Sequence, residues 1–396
     1  MTARRVVIAG GGVIGCSVAW YAARRGLEVT LVDRPQRGKA TTASAGGLWA
    51  RGEAVGLGCG VILYKKALAE RGAAAVPPPQ PLPRAFLDFA LASNALFPEL
   101  ARELLAEAAI DIEFARTSLL FLLYDAGDVA YAETVCRPGS YGGDAVERLS
   151  PEDVARAEPA ISSAIRGALR VRGDDQVNPY KLAQGLEAAA RARGARFLSG
   201  VDVTGVHVEN GRVRAVGTDA GEIPCDVLVN AAGAWAPEVA RLAGVDHLPV
   251  RPVRGQIVCT EHLPPLLSAC VSTTECYLLQ KRHGEILIGS TTEEVGFDPG
   301  VTPQAMRTLA AGAVRAVPSL AHAGVKRVWS GFRPGTPDEL PILGPVEGLA
   351  GYLNACGHFR TGIVTSPLTG LVIAELAAGG TPSVDVGPFL LARFRR

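Results

Sequence analysis

The chain has 396 residues, a net charge of +1 and 20% charged residues, enough for two domains or one interleaved pair and too balanced for a nucleic-acid surface. Its 46 glycines and 27 prolines are spread along the chain, so they mark tight turns rather than a low-complexity tract. The eight cysteines form no C-x-x-C pair and several sit inside apolar runs. They read as small buried hydrophobes in a reducing compartment and argue against a zinc site or an iron–sulfur cluster held by this chain.

The first predicted element is the most informative. A V-V-I-A strand runs into Gly10-Gly11-Gly12-Val13-Ile14-Gly15, followed by a helical segment and the strand V-T-L-V-D ending at Asp33. This is a βαβ unit carrying G-x-G-x-x-G. Gly10 serves the tight turn, Gly12 the close approach of a pyrophosphate, and Gly15 the packing of helix on sheet. The helix N-terminus offers N–H groups to phosphates, and Asp33 with Arg34 stands where ribose hydroxyls are bound. Residues 6 to 23 imitate a short membrane span or leader, but the glycine cluster weakens such a helix. A cytoplasmic protein is expected, attached to a membrane only peripherally through partners.

Thr41, Thr42, Ser44, Ala45, Gly46 and Gly47 then form a polar loop suited to diphosphate and ribityl contacts, although a solvated loop explains the same string. Residues 51–83 are a Gly- and Pro-rich excursion that includes Cys59 and P-P-P-Q-P-L-P, a surface spacer and candidate partner interface. Residues 85–108 have helical spacing and 118–124 read as a buried strand. Ser150-Pro151-x-Asp153 predicts a capped helix start. A strand at A-L-R-V, a helix to Arg193, and the strands A-R-F-L-S, V-T-G-V-H-V and G-R-V-R-A-V-G-T follow. C-D-V-L-V-N-A-A-G-A-W-A reads as a second return to a nucleotide sheet. From 250 to 292, strands and turns alternate as in an antiparallel sheet, a helix covers about 302 to 316, and two arginine-bearing loops end the set at 331–344 and 357–363.

Seven strings in order resemble the D-amino-acid-oxidase-like family of FAD-dependent amine oxidoreductases: G-x-G-x-x-G, S-A-G-G, N-A-A-G-A-W, V-R-G-Q, G-S-T-T-E-x-x-G-F-D, F-R-P-G-T-P-D and G-H-F-R-T-G. The G-H-F-R-T-G ending is similar to the glycine oxidase branch. A-S-A-G-G-L-W-A-x-G-E-x-V-G-L-G-C-G-V-I, Q-V-N-P and P-D-E-L-P-I-L-G-P resemble the flavoprotein subunits of cyanide-forming glycine dehydrogenases over essentially the whole chain. The β subunits of opine (octopine and nopaline) oxidases are the nearest rival, with stand-alone glycine or sarcosine oxidases next.

The resemblance implies a mixed α/β fold. A Rossmann-like FAD-binding domain would comprise residues 1–84, 146–228 and 330–396, and an antiparallel substrate domain residues 85–145 and 229–329. FAD is implied at Gly10, Gly12, Val13, Ile14, Gly15, Asp33, Arg34, Thr41, Thr42, Ser44, Ala45, Gly46, Gly47, Val203, Ala232, Gly233, Trp235, Gly357, Phe359, Arg360, Thr361, Gly362 and Ile363. Arg333 is the expected clamp on a substrate carboxylate, because a guanidinium meets both oxygens and stays charged; a surface arginine before a turn is the plainer alternative. Tyr277 is expected to reach the same carboxylate, against a buried sheet tyrosine. Arg360 and His358 complete the catalytic set, the backbone of 357–363 being the expected contributor and His358 reading more plainly as structural. Trp49 is expected either to roof flavin or substrate or to pack in the core. The implied reaction is oxidation of a small amino acid at Cα, with glycine going to hydrogen cyanide and carbon dioxide. Its electrons would leave through partner redox subunits that carry an iron–sulfur centre; a second flavin, FMN, at a subunit boundary has no supporting motif here.

Overall fold

The computed structural model describes residues 3–58, 81–136 and 145–395. The Cys59 turn and the proline run of the 51–83 excursion therefore lie outside the described residues, apart from 51–58 and 81–83.

Two sheets organise the chain. The first has the strand order Gly221–Pro224, Arg212–Thr218, Leu349–Cys356, Val227–Asn230, Arg5–Ala9, Glu28–Asp33 and Arg196–Ser199. Its centre is parallel, with Ile8 opposite Val229 on one side and Leu31 on the other. Ile342–Val346 and Val203–Glu209 add antiparallel strands to it. Alternation gives the central strands two buried faces. Val6, Ile8, Leu31 and Val229 join one core with the helices Val13–Arg24, Pro179–Ala192 and Gly362–Ala377, while Val7, Val32 and Leu228 join another around Tyr352 and the helix Ala236–Leu242. Gly15 lets the first helix lie down on the strand turn, since a Cβ there would come closer than 3.0 Å to the Gly10 carbonyl oxygen.

The second sheet has the order Val325–Gly335, Arg251–Thr260, Ile286–Gly289, Tyr277–Gln280, Cys270–Ser272, Ser118–Leu122, Ala168–Arg172 and Val146–Leu149. All its pairings are antiparallel except that of Cys270–Ser272 with Ser118–Leu122. One face, with Val258, Ile288, Leu278 and Leu120, packs on the helix Pro303–Ala316. The other, with Ile257, Leu287, Tyr277 and Phe121, turns towards the first sheet and meets Trp49.

Several expectations are realised locally. Ser150 and Asp153 form the reciprocal capping box at the start of Pro151–Ala157. Two elements fall elsewhere. The F-R-P-G segment, read as a loop, is the end of the strand Val325–Gly335. The expected segment boundaries also cross the layers: the helices Arg84–Ala95 and Phe97–Ala108 bury Phe86, Leu87, Phe97 and Leu104 in the core of the first sheet, while Val146–Leu149, Ala168–Arg172 and Val325–Gly335 belong to the second sheet. Seven cysteines among the described residues are unbridged, and six of them are buried. Burial pushes the Cys225, Cys276 and Cys356 thiols up to about 12. Among the described residues no helix is long and apolar enough to cross a membrane.

The close seat of the first helix yields a stability prediction. Gly15→Ala forces helix and strand turn apart, a strain of about 1–3 kcal/mol, and should lower the urea midpoint and weaken flavin retention together. An unchanged midpoint would contradict the packing described.

Candidate active site

A cavity of about 690 Å³ runs from the Gly10–Gly12 turn to Arg333, between the two sheets. That is the size range of small-molecule and cofactor sites. At one end Gly10 takes φ +112°, a left-handed conformation open to glycine, and carries the chain from the strand Arg5–Ala9 to the N-terminus of Val13–Arg24. Gly12 gives that terminus no side-chain cap, and the first-turn residues Val13 and Ile14 line the cavity. Thr41 closes the same corner by accepting the Val13 N–H at 3.0 Å. Asp33 accepts the Gly11 N–H at 2.8 Å and the Lys39 ammonium at 2.5 Å; a carboxylate with about four acceptor sites still has capacity for hydroxyl donors. Arg34 faces the cavity but is held by Asp202 at 3.0 Å and Glu238 at 2.6 Å, so it acts on the wall rather than as an unpaired cation.

Further along, Ser44, Ala45, Gly46 and Gly47 face Val203, Ala232, Gly233 and Trp235 across the same space. Phe359, Arg360, Thr361, Gly362 and Ile363 bring in a second helix N-terminus, that of Gly362–Ala377, which also has no side-chain cap. Three predicted residues lie outside the cavity wall. Gly15 acts beneath it, as described above. Thr42 is exposed and its hydroxyl donates to the Lys39 carbonyl at 3.2 Å. Gly357 stands against Thr336, where a Cβ would come closer than 3.0 Å to the methyl.

The far end is built on the second sheet. Arg333 and Tyr277 project from strands separated by Arg251–Thr260 and Ile286–Gly289, and both face the cavity. Glycines make their seats. A Cβ on Gly255 would collide with the Arg333 guanidinium, and one on Gly289 would lie 2.5 Å from the Tyr277 phenol. The guanidinium donates to the Ser290 hydroxyl and, at 3.1 Å, to the Thr291 carbonyl. Both partners are neutral, so they aim the fork without cancelling its charge. Trp49 meets the Tyr277 ring edge-on, with centroids 5.4 Å apart at 82°.

Arg360 and His358 are placed differently from a catalytic pair. The Arg360 side chain is 4% exposed; its Nε donates to Glu53 at 3.1 Å and its Nη2 to Glu339 at 2.7 Å. Two carboxylates therefore occupy it, and what the loop presents is backbone at a helix N-terminus. His358 is 2% exposed, its Nε2 lies 3.1 Å from the Thr369 hydroxyl, and burial pushes its imidazole down to about 3. It stays neutral at ordinary pH, which suits a structural role and not proton exchange.

The sequence reading missed Glu53, Lys39, Phe332, Gly255 and Gly289. Pairing register exposes the two glycines, since only strand alignment sets Gly289 opposite Tyr277; Glu53 lies in the excursion and has no local signal. Among the described residues, no group of three or more His, Cys, Asp or Glu could hold a metal ion. The cavity, two helix N-termini whose N-cap residues leave N–H groups free of their own side chains, and a hydroxyl-lined corner fit a flavin dinucleotide.

Comparisons with known proteins agree with that chemistry. A family model described as FAD dependent oxidoreductase matches residues 5–376. The hydrogen cyanide synthase subunit HcnC of Pseudomonas aeruginosa is 50% identical, the match covering 98% of this chain and 96% of that protein. Glycine oxidase of Pseudomonas putida is 31% identical over 98% of both chains. The crystal structure of glycine oxidase from Geobacillus kaustophilus superposes with a TM-score of 0.86 at 30% identity, covering 99% of this chain and 100% of that one.

The two seats and the buried histidine generate predictions. Gly289→Ala should displace Tyr277 and raise KM for a carboxylate substrate several-fold while flavin content stays constant; loss of flavin at an unchanged KM would place the ring elsewhere. For His358 the folded state refuses a proton that the unfolded chain takes below 6.5. Its contribution is complete above that pH and is lost as pH falls towards 3. His358→Asn should remove this component, so the stability of the wild type relative to the variant should decline across that window. A pH-independent difference would contradict the assignment.

Proposed function

The chain belongs to the FAD dependent oxidoreductase family, and we propose that it oxidises glycine at Cα to hydrogen cyanide and carbon dioxide as the catalytic subunit of a hetero-oligomeric dehydrogenase. The observation that carries this reading is Arg333. Its guanidinium, bound by neutral oxygens, lines the same cavity as the dinucleotide turn. The first sheet holds the cofactor, and the inward face of the second sheet holds the substrate.

Arg333 takes the substrate carboxylate in a two-point grip and the Tyr277 hydroxyl adds a third contact. The acid is thereby fixed with its amine-bearing carbon towards the cofactor side of the cavity. FAD, when bound, supplies a two-electron hydride acceptor. No protein base is required, since the neutral amine can lose hydride directly and His358 holds its place unprotonated. The N–H groups at the start of Gly362–Ala377 offer the positive end of a helix dipole to negative charge in the cavity. Trp49, Ile257 and Tyr277, which pack together, exclude water from the substrate end. The balance is glycine to hydrogen cyanide, carbon dioxide, four protons and four electrons, in two successive two-electron steps.

Four electrons have to leave, and among the described residues no cysteine or histidine cluster receives them. The name of the Pseudomonas aeruginosa relative includes the word subunit, which supports partner chains; the proposal places the onward redox centres on them, in a cytoplasmic assembly that touches a membrane only through those partners.

Flavin-loaded protein given glycine and an artificial electron acceptor should form cyanide. Peroxide without cyanide would favour a stand-alone oxidase, and reduction by octopine but not by glycine would overturn the substrate assignment. Arg333→Ala should retain flavin and raise KM for glycine roughly 10- to 100-fold, the equivalent of losing a charge-assisted clamp. An unchanged KM would remove Arg333 from this role.

A further inference from the structure

Resting on the function proposed above, we propose that Arg254 is a positioning residue for the carboxylate clamp, fixing the loop whose Ser290 and Thr291 aim the Arg333 guanidinium. Both partners of Arg333 lie just past the strand Ile286–Gly289. From there to the helix Pro303–Ala316 the chain runs as a loop, exposed from 294 to 299. A productive two-point grip tolerates an error of about 0.5 Å. An exposed loop can aim a guanidinium that closely only if something holds it.

The holder is the V-R-G-Q segment, residues 253–256. Side chains alternate along the strand Arg251–Thr260. Gly255 and Ile257 line the cavity, whereas Arg254 and Gln256 belong to the opposite face and do not. Arg254 is 4% exposed, and it exchanges backbone hydrogen bonds of 2.8 and 3.0 Å with Glu293. Its guanidinium then spans the loop. Nε donates to the Glu293 carboxylate at 3.1 Å and Nη2 to the same group, while Nη1 donates to the Asp298 carboxylate at 2.6 Å and carbonyl at 3.2 Å. Gln256 donates its N–H to the Thr291 hydroxyl at 3.0 Å and its side-chain amide to Glu293 at 2.8 Å.

Consecutive residues of one strand therefore supply the glycine beneath the Arg333 guanidinium and the anchors of the loop that bonds it. All three Arg254 nitrogens are engaged by that loop, so Arg254 acts on a substrate through Arg333 and not by contact. Charge-assisted bonds hold a geometry more firmly than neutral ones, and Glu293 stands two residues beyond Thr291. Without the Arg254 fork the Ser290 and Thr291 oxygens lose their fixed place, and the clamp loses its aim. The same loop carries Phe297, stacked on Trp235 with centroids 5.1 Å apart at 17°. Trp235 lines the cavity, which gives the loop a rival route to the cofactor that the test must separate.

The test titrates acetate into flavin-loaded protein and reads Kd from the flavin absorbance, so it does not depend on turnover. Arg254→Met should raise Kd for acetate and KM for glycine together, roughly tenfold, as a clamp moved by a fraction of an ångström would, with flavin affinity unchanged. Arg333→Lys keeps a cation for acetate but has no planar fork to aim. In that background Arg254→Met should change Kd by less than about twofold, because the two residues act in series. Arg254→Lys meets one carboxylate at a time and should fall between wild type and Arg254→Met. If removing a buried charge prevents Arg254→Met from folding, Glu293→Gln takes its place in the same pair of backgrounds.

The proposal is overturned if the substitution leaves Kd for acetate unaltered, or raises it as much in the Arg333→Lys background. It is also overturned if flavin affinity falls while acetate binding holds, which would assign the loop to the cofactor through Phe297. Acetate binding indifferent to Arg333→Lys alone would instead refute the reading of Arg333 on which the inference rests.

Discussion

A guanidinium bound by neutral oxygens retains its charge for a ligand, and the placement of Arg333 is the constraint from which the rest of the site follows. Burying such a group costs several kcal/mol unless its hydrogen bonds are met. The Ser290 hydroxyl and the Thr291 carbonyl meet part of that requirement, and a ligand carboxylate completes it. The seat requires a strand neighbour with no side chain, supplied by Gly255, and Gly289 does the same for the phenol on the strand next to its own. The clamp therefore depends on the sheet register, which places the two glycines, and on the loop after Gly289, which supplies Ser290 and Thr291.

The ion network of Glu53, Arg360 and Glu339 is assembled from distant parts of the chain. Glu53 follows the S-A-G-G loop, Arg360 precedes the last long helix, and Glu339 follows the strand that carries Arg333. Asp174 accepts the Arg51 and Gly52 N–H groups at the start of the short Glu53 helix, and burial pushes its carboxyl up to about 8. A short helix tied at its first turn and cross-linked by ions through Glu53 is a rigid part of the cavity wall.

Much of this is legible in the residues, and what is not has physical reasons. The N-terminal βαβ unit, the Ser150 capping box and the helix Pro303–Ala316 are local signals, and each is present where the sequence places it. F-R-P-G reads as a loop because Gly331, Pro334 and Gly335 are turn residues. The segment forms the edge strand of its sheet, where a proline lacking a donor N–H is tolerated. Chain order assigns the helices Arg84–Ala95 and Phe97–Ala108 to the substrate layer, whereas Leu87, Phe97 and Leu104 choose the other core through long-range packing. Arg360 looks available in the sequence because its partner Glu53 is 307 residues away, a separation at which no spacing rule operates.

The account rests on the carboxylate as the anchor that presents Cα for oxidation. Anaerobic mixing of the flavin-loaded protein with glycine or glycinamide tests this directly, because the two differ only in the group Arg333 would grip. Glycine should bleach the flavin while glycinamide at the same concentration leaves it oxidised or reduces it far more slowly. Equal rates of bleaching would show that the acid end of the substrate does not position it, and the arrangement around Arg333 would need another purpose.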